Sequence, residues 1–269
     1  MNINKNFCLL GIIIFVFLLE NIMAQTVPGK FKNKFKIDTD TGVLCFLKDD
    51  GRALKSYKIQ KYIPGKQSPS RVSISDNGNF ICVTTVTKEN EEGEGDANSI
   101  ILDDKGNEVW KVNTTYSSAL VAPNGNYIIC GHADGPPKIY YKNGNILEIK
   151  DDSLSNEKYS YEGDNQYSFS QNGSLVIALI GIGDMEILRN DTAHWDNGYI
   201  NELVAVSETG QILWKKNDLP QGLRWIPSVE VLKNNDVQIV LFNCQDKTKR
   251  FRLYDAIGNL IKSDTPEAK

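Results

Sequence analysis

The stretch RVSISDNGNFICVTT, residues 71–85, decides the fold of this 269-residue chain. Two short apolar runs flank a polar turn that is centred on Asn77 and Gly78. Val and Ile favour strands, and an Asn-Gly pair supplies the positive φ that a tight hairpin turn requires. The stretch therefore predicts a β-hairpin.

Hairpins of this first type recur along the chain, and each is followed by a hairpin of a second type whose turn contains a glycine. Further copies of the first type begin at Ser118, Tyr167 and, in degenerate form, Ser228. Copies of the second type begin at Val43, Ser99, Lys138, Glu202 and Arg250. Two successive hairpins make one four-stranded antiparallel unit, and the copy at Val43 has no first-type hairpin before it.

The spacing of these units indicates the architecture. Gly78, Gly125 and Gly173 are separated by 47 and 48 residues, which is about the length of one β-propeller blade. We expect an all-β protein, a propeller of about five four-stranded antiparallel blades whose first blade is possibly incomplete. Residues 25–36 could supply the missing strand. A β-sandwich built from similar hairpins is the alternative.

The hairpins also resemble known repeat families. The first type, S-x-(D/N)-G-x-apolar, looks like the inner strand pair of WD40-like blades. The second, from Asp103 to Trp110, is similar to the outer hairpin of PQQ-like blades. The Trp recurs at Trp214 but becomes Leu or Ile near Leu147 and Ile261. The resemblance implies a propeller and specifies no activity.

The N-terminus has the layout of a secretory signal peptide. Lys5 precedes an apolar run over residues 7–19, and Ala24 is a plausible cleavage position. The run is short for a bilayer span, which needs about 20 apolar residues. The sequence predicts a leader at residues 1–24 and a propeller at residues 25–269, secreted or periplasmic. An uncleaved anchor is the alternative, and no membrane span is expected after cleavage.

Composition excludes some functions. A formal net charge of −4 disfavours nucleic-acid binding, which needs a basic surface. Cys45, Cys82, Cys130 and Cys244 show no metal or redox spacing, so we interpret them as buried small hydrophobes. No cofactor is expected, because no haem-attachment motif is present and quinone-dependent propeller enzymes resemble longer, eight-bladed chains.

The candidate binding residues come from the long connections. In each blade the turns that follow the first and third strands are short. The connections after the second and fourth strands are longer, for example residues 88–98 and 181–198, and they should share one face, which we call the long-loop face. Loops on a rigid scaffold commonly carry binding residues. The candidates for ligand binding are His132, Asp134, His194, Trp195, Asp196, Arg224 and Trp225.

Two other readings of these connections are weaker. The acidic run over residues 88–96 is expected to be a disordered, solvated loop rather than a calcium site. The two histidines with a nearby Asp could ligate a metal, but nothing in the sequence brings them together, so no metal site is predicted.

The function predicted is a non-enzymatic binding or protein-interaction module with a protein or glycan partner on the long-loop face. The alternative is a glycan-processing hydrolase, which needs two carboxylates facing one bond. Among the expected inner strands only Glu230 supplies a carboxylate, so no catalytic residue is predicted. The ligand and the oligomeric state do not follow from the sequence.

Overall fold

A computed structural model describes twelve parts of the chain. These are residues 35–38, 41–59, 70–89, 95–114, 119–131, 136–149, 159–161, 165–184, 199–217, 219, 225–243 and 247–264. The described residues form strands and turns only, with no helix among them. No stretch within these ranges forms a helix that is long and apolar enough to cross a bilayer.

Twenty strands follow one another along the chain. The first ten are β1 (Phe35–Asp38), β2 (Val43–Leu47), β3 (Ala53–Lys58), β4 (Arg71–Ile74), β5 (Phe80–Glu89), β6 (Gly95–Asp103), β7 (Glu108–Thr114), β8 (Leu120–Val121), β9 (Tyr127–Cys130) and β10 (Lys138–Tyr141). The others are β11 (Ile146–Glu148), β12 (Tyr159–Tyr161), β13 (Gln166–Phe169), β14 (Leu175–Asp184), β15 (Tyr199–Ser207), β16 (Ile212–Lys216), β17 (Trp225–Val231), β18 (Val237–Asn243), β19 (Lys249–Tyr254) and β20 (Leu260–Ser263).

The strands make five antiparallel sheets, each from consecutive strands, which we call blades 1 to 5. Blade 1 is β1-β2-β3, blade 2 is β4 to β7, blade 3 is β8 to β11, and blade 5 is β17 to β20. Blade 4 has the order β14-β15-β16, with both β12 and β13 on the free edge of β14. The fold is a five-bladed β-propeller, as the sequence predicted, and the described part of blade 1 has three strands.

The turn between the last two strands has the same form in every blade. In blade 2, Gly106 N–H donates to the Asp103 carbonyl at 3.0 Å and Asp103 N–H to the Asn107 carbonyl at 2.9 Å. The equivalent glycines all have positive φ and are Gly51, Gly106, Gly144, Gly210 and Gly258. This shared geometry makes β2 and β3 the third and fourth strands of blade 1. The strand absent from its described part is therefore the first.

Neighbouring blades pack through apolar cores. Four clusters join blade 1 to 2, 2 to 3, 3 to 4 and 4 to 5. The first strands of adjacent blades also approach each other, β4 with β8 and β13 with β17. Ser73 Oγ there donates to the Ala119 carbonyl. Within the described ranges no apolar cluster joins blade 5 to blade 1.

Two connections differ from the expectation. Strand β5 continues to Glu89 and β6 begins at Gly95, with Lys88 paired to Asp96. Strand β14 likewise continues to Asp184 and pairs with β15 up to Tyr199. The predicted boundaries of the loops over residues 88–98 and 181–198 are therefore wrong. The backbone hydrogen bonds between the strands continue beyond the point where the apolar side chains end. The tip residues 90–94 lie outside the described ranges.

The cysteine prediction is confirmed at two positions. Cys82 and Cys130 are buried in the core between blades 2 and 3, and both are free thiols. Burial raises the pKa of Cys82 to about 11, so the protonated thiol persists at neutral pH. Cys45 is only half-buried on β2, and Cys244 lies outside the described residues.

Candidate functional site

The antiparallel topology separates the connections into two faces. The turns after the first and third strands of each blade lie on one face, which we call the short-turn face. The connections after the second and fourth strands lie on the opposite, long-loop face. A surface on either face of two neighbouring blades is therefore formed by short turns or by long connections, and not by both.

Blades 2 and 4 extend further toward the long-loop face than blade 3 does. Strands β5 and β14 have ten residues each, whereas β9 has four. All three strands begin directly after the same kind of five-residue turn. At 3.3–3.4 Å per residue the difference of six residues amounts to about 20 Å. The second strands of blades 2 and 4 are therefore longer toward this face than the second strand of the blade between them.

The predicted ligand-binding residues lie almost entirely outside the described ranges. His132, Asp134, His194, Trp195, Asp196 and Arg224 are all in undescribed connections. Trp225 is the first residue of β17 and pairs with Asn243. By chain position the two histidines follow the second strands of blades 3 and 4. The assignment of all seven residues stays a prediction.

The described inner strands are poor in carboxylates. Strands β4, β8, β12, β13 and β17 contain one acidic residue, Glu230. Its side chain is exposed, between Val229 and Val231, which pack on the core between blades 4 and 5. Glycoside hydrolysis needs two carboxyl groups about 5–10 Å apart, so these strands do not supply the pair.

A cleft of about 470 Å³ is present on the short-turn face, between blades 3 and 4. Its lining residues are Asn126, Tyr141, Lys142, Asn143, Glu208 and Thr209. All except Tyr141 are exposed. The cleft thus has polar walls and an aromatic ring at its base, and sequence reasoning did not identify it.

Hydrogen bonds between the blades hold the walls of this cleft. Asn124 Nδ2 lies 2.9 Å from Glu208 Oε2 and 2.9 Å from the Gly173 carbonyl. Tyr127 Oη donates to the same carbonyl at 3.0 Å. Tyr141 Oη donates to the Ser207 carbonyl at 3.4 Å. The cleft is therefore bounded by turns that are fixed to each other.

Burial keeps both tyrosines neutral. It raises the pKa of Tyr141 to about 12. The pKa of Tyr127 is raised further by burial, and the neighbouring Tyr141 and the Glu208 carboxylate add to this effect. Both hydroxyls accordingly act as hydrogen-bond donors at neutral pH. The sequence signal for these hydrogen bonds was the presence of Tyr127 and Tyr141 at the paired ends of β9 and β10. Strand periodicity alone assigns both residues to the core.

No group of three or more His, Cys, Asp or Glu residues that could hold a metal ion occurs within the described ranges.

Two solved β-propeller domains are among the structures that are similar to this chain. No protein-family model matches the chain, and no characterised protein matches it in sequence. The chain is similar in structure to the β-propeller domain of Cps50 (Swd1) from Myceliophteria thermophila, with 12% identity and a TM-score of 0.46, covering 88% of this chain and 67% of that one. It is also similar to the β-propeller domain of the Trilobed protease from Pyrococcus furiosus, with 7% identity and a TM-score of 0.45, covering 74% and 58%.

A third similar structure is BamB from Moraxella catarrhalis, with 12% identity, a TM-score of 0.32 and coverage of 88% of this chain and 86% of that one. The chain spans only 58% of the length of the protease domain. At these identities the likeness concerns the fold alone.

Proposed function

We propose that this chain is an exported, non-enzymatic binding module whose protein or glycan partner docks on the long-loop face. The observation that carries the proposal is the difference in length between the short strand β9 and the long strands β5 and β14 of the neighbouring blades. A rigid ring that raises two hairpins around a lower blade presents a concave surface, and binding sites are commonly concave. Export rests on the leader-like residues 1–24.

The predicted site residues fit this location by chain position. His132 and Asp134 follow the short strand β9 in the sequence. His194, Trp195 and Asp196 connect β14 to β15 in the hairpin of blade 4. Aromatic and Arg residues are common anchors of interfaces, and Arg224 with Trp225 leads into the adjacent blade 5.

Charge on the blade 2 hairpin adds selectivity. The run over residues 88–96 carries five acidic residues and one Lys. Both of its ends are paired in the ladder between β5 and β6, so the charge is carried on a projecting hairpin. We expect a partner whose contact with blade 2 is basic or neutral, since like charges repel.

The test compares substitutions on the two faces. The protein without residues 1–24 is applied to a glycan array and is cross-linked to envelope proteins of the host. We expect the triple substitution of His194, Trp195 and Asp196 by Ala to weaken capture of the partner at least tenfold. Lys105→Ala, in a short turn of blade 2, is the matched control and should leave capture unchanged. Equal capture by all three proteins would contradict the proposal.

The hydrolase alternative has its own measurement. Incubation with oligosaccharides and analysis of reducing ends should show no turnover. Turnover that Glu230→Gln abolishes would replace the binding proposal with the enzyme.

A further inference from the structure

The turns that surround the cleft between blades 3 and 4 are joined to one another by hydrogen bonds. Lys142 N–H donates to the Asn126 carbonyl at 2.8 Å and joins the two turns of blade 3. Glu208 N–H donates to the Ser174 carbonyl at 3.0 Å and joins the two turns of blade 4. Together with the bonds from Asn124 to blade 4, these contacts fix the walls before a ligand arrives. A preformed site loses little ordering entropy on binding.

Several polar groups on these walls are left unused by the fold. Among the described residues, nothing bonds to the side-chain amide of Asn126 or to the Lys142 ammonium. Asn143 uses its Oδ1, which accepts a backbone N–H of its own turn at 3.0 Å, and its NH₂ group is available. One carboxylate oxygen of Glu208 accepts from blade 3, and the other is available. The cleft therefore offers both donors and acceptors to a ligand.

The charges and the lining of the cleft indicate an uncharged, polar ligand. Lys142 and Glu208 are the two charged residues that line it, and their charges are opposite. An anion is attracted by one and repelled by the other, and the same holds for a cation. The aromatic residue of the lining, Tyr141, is buried, and its hydroxyl donates to the Ser207 carbonyl. An apolar ligand would cover the polar walls without replacing their hydrogen bonds to water, which is costly.

We propose that this cleft binds a single sugar residue, either free or at the end of a glycan chain. A sugar ring is uncharged, and each of its hydroxyl groups both donates and accepts a hydrogen bond. Neighbouring hydroxyls bond to the Asn126 and Asn143 amides and donate to the available oxygen of Glu208, a charged and therefore strong acceptor. The Lys142 ammonium donates to a further sugar oxygen. The volume of about 470 Å³ lies in the usual range of small-ligand clefts.

This site is independent of the function proposed above. It lies on the short-turn face, opposite the long-loop face, and shares no residue with the seven predicted for that surface. A glycan that binds only to the long-loop face leaves the cleft residues unaffected. The two proposals can therefore fail separately.

The test follows the backbone amide NMR spectrum of the folded protein during titration with single sugars. The probes are the methyl glycosides of glucose, galactose, mannose and N-acetylglucosamine. We expect saturable shifts at Asn126, Lys142, Asn143 and Thr209 with at least one of them. Glycine betaine, a zwitterion without hydroxyl groups, should produce none. An oligosaccharide that ends in the same sugar distinguishes the two sources, because it binds only where the cleft accepts the end of a chain.

A matched pair of variants locates the site. Asn126 and Asn79 are both exposed and follow the glycine of the same turn in blades 3 and 2, but only Asn126 lines the cleft. Asn126→Ala should weaken sugar binding about fivefold, the usual effect of one lost hydrogen bond, and Asn79→Ala should leave it unchanged. Glu208→Gln, which removes the charged acceptor and keeps its shape, should also weaken binding.

Three results would overturn the proposal. The first is that none of the four glycosides shifts a cleft residue up to its solubility limit. The second is that glycine betaine shifts the same amides, which would assign the cleft to a zwitterion. The third is that Asn126→Ala and Glu208→Gln bind the sugar as well as the unchanged protein does.

Discussion

The interface between blades 3 and 4 and the interface between blades 4 and 5 solve the same packing problem with different residues. Between blades 4 and 5 one half-buried Trp214 covers the next turn from the outer strand. Between blades 3 and 4 the contact comes from buried Tyr127 and Tyr141. Trp214 fills the space beside the turns at the surface of the short-turn face. Tyr127 and Tyr141 fill the interior of the interface between blades 3 and 4, and a cleft is left at the surface. A repeat can therefore keep its backbone while its contacts move inward.

The largest expected effect is the loss of stability when the buried Tyr127 is removed, compared with the loss when the half-buried Trp214 is removed. Tyr127 is fully buried and its ring lies 5.6 Å from Tyr141 and 5.9 Å from Phe169 between centroids. Tyr127→Ala should lower the free energy of unfolding by about 3–5 kcal/mol, the usual cost of deleting a buried aromatic ring. Trp214→Ala should cost less, since the rim can fill with water. Urea denaturation measures both, and a greater loss for Trp214→Ala would reverse the comparison.

The second effect tests how tightly a turn rests on its neighbour. Gly258 and Gly144 occupy the same turn position with φ of 87° and 89°. A Cβ on Gly258 would lie 2.8 Å from Trp214, whereas nothing lies within 4 Å of one on Gly144. Gly144→Ala should cost about 1 kcal/mol for backbone strain alone.

Gly258→Ala should cost about 2–3 kcal/mol, because the indole must also move. Thermal unfolding of the two variants provides the comparison. Equal shifts in Tm would show that the blade 5 turn does not press on the ring.

A third, smaller effect concerns the donors that replace the indole between blades 3 and 4. Asn124 and Tyr127 both donate to the Gly173 carbonyl. Tyr127→Phe or Asn124→Ala alone should each cost about 1 kcal/mol, since one donor remains. The double variant should cost more than the two losses combined, because a buried carbonyl is then unsatisfied. A double-mutant cycle measures the coupling, and strict additivity would contradict the shared acceptor.

The smallest effect distinguishes the turns of blades 5 and 4 by pH. In blade 5 the side-chain amide of Asn259 and the backbone N–H groups of Asn259 and Ile257 donate to Asp255 and hold its pKa below the ordinary value of 3.8. In blade 4 the equivalent residue is the uncharged Ser207, whose Oγ accepts from Gln211 N–H.

The stabilisation from Asp255 is complete above its unfolded pKa and is lost as pH falls through the lowered folded pKa. Asp255→Ser should therefore make unfolding less dependent on pH below about 4. Carboxyl NMR titration gives the folded pKa directly. A value for Asp255 at or above that of an unfolded Asp would contradict the expectation.

The fold was predictable because its decisive signals are local. The Asn-Gly and Asp-x-x-Gly turns need only their own few residues to reverse the chain, so five outer hairpins and four inner ones could be read directly. The ends of the long strands could not. Lys88 and Asp96 carry no strand pattern, and they pair because the ladder from β5 and β6 continues through the backbone.

The candidate sites divide in the same way. The seven residues predicted for ligand binding follow from loop position, and they remain predictions. The cleft between blades 3 and 4 was not predictable, although the replacement of Trp by Leu147 was visible in the repeat. Tyr141 lies against the blade 4 turn in place of that Trp, near Gly210, and this contact between blades could not be deduced from the repeat.

The sequence by itself determined the repeat and the five-bladed architecture, because hairpin turns and strand periodicity are short-range properties of the chain. Only the tertiary structure decided how one blade meets the next. Whether Trp214 or Tyr141 spans an interface depends on side chains from blades that are more than forty residues apart in sequence. The height of the hairpins around blade 3 depends on backbone hydrogen bonds that any residue except proline can make. The binding surface proposed on the long-loop face depends on these strand lengths, which only the tertiary structure shows.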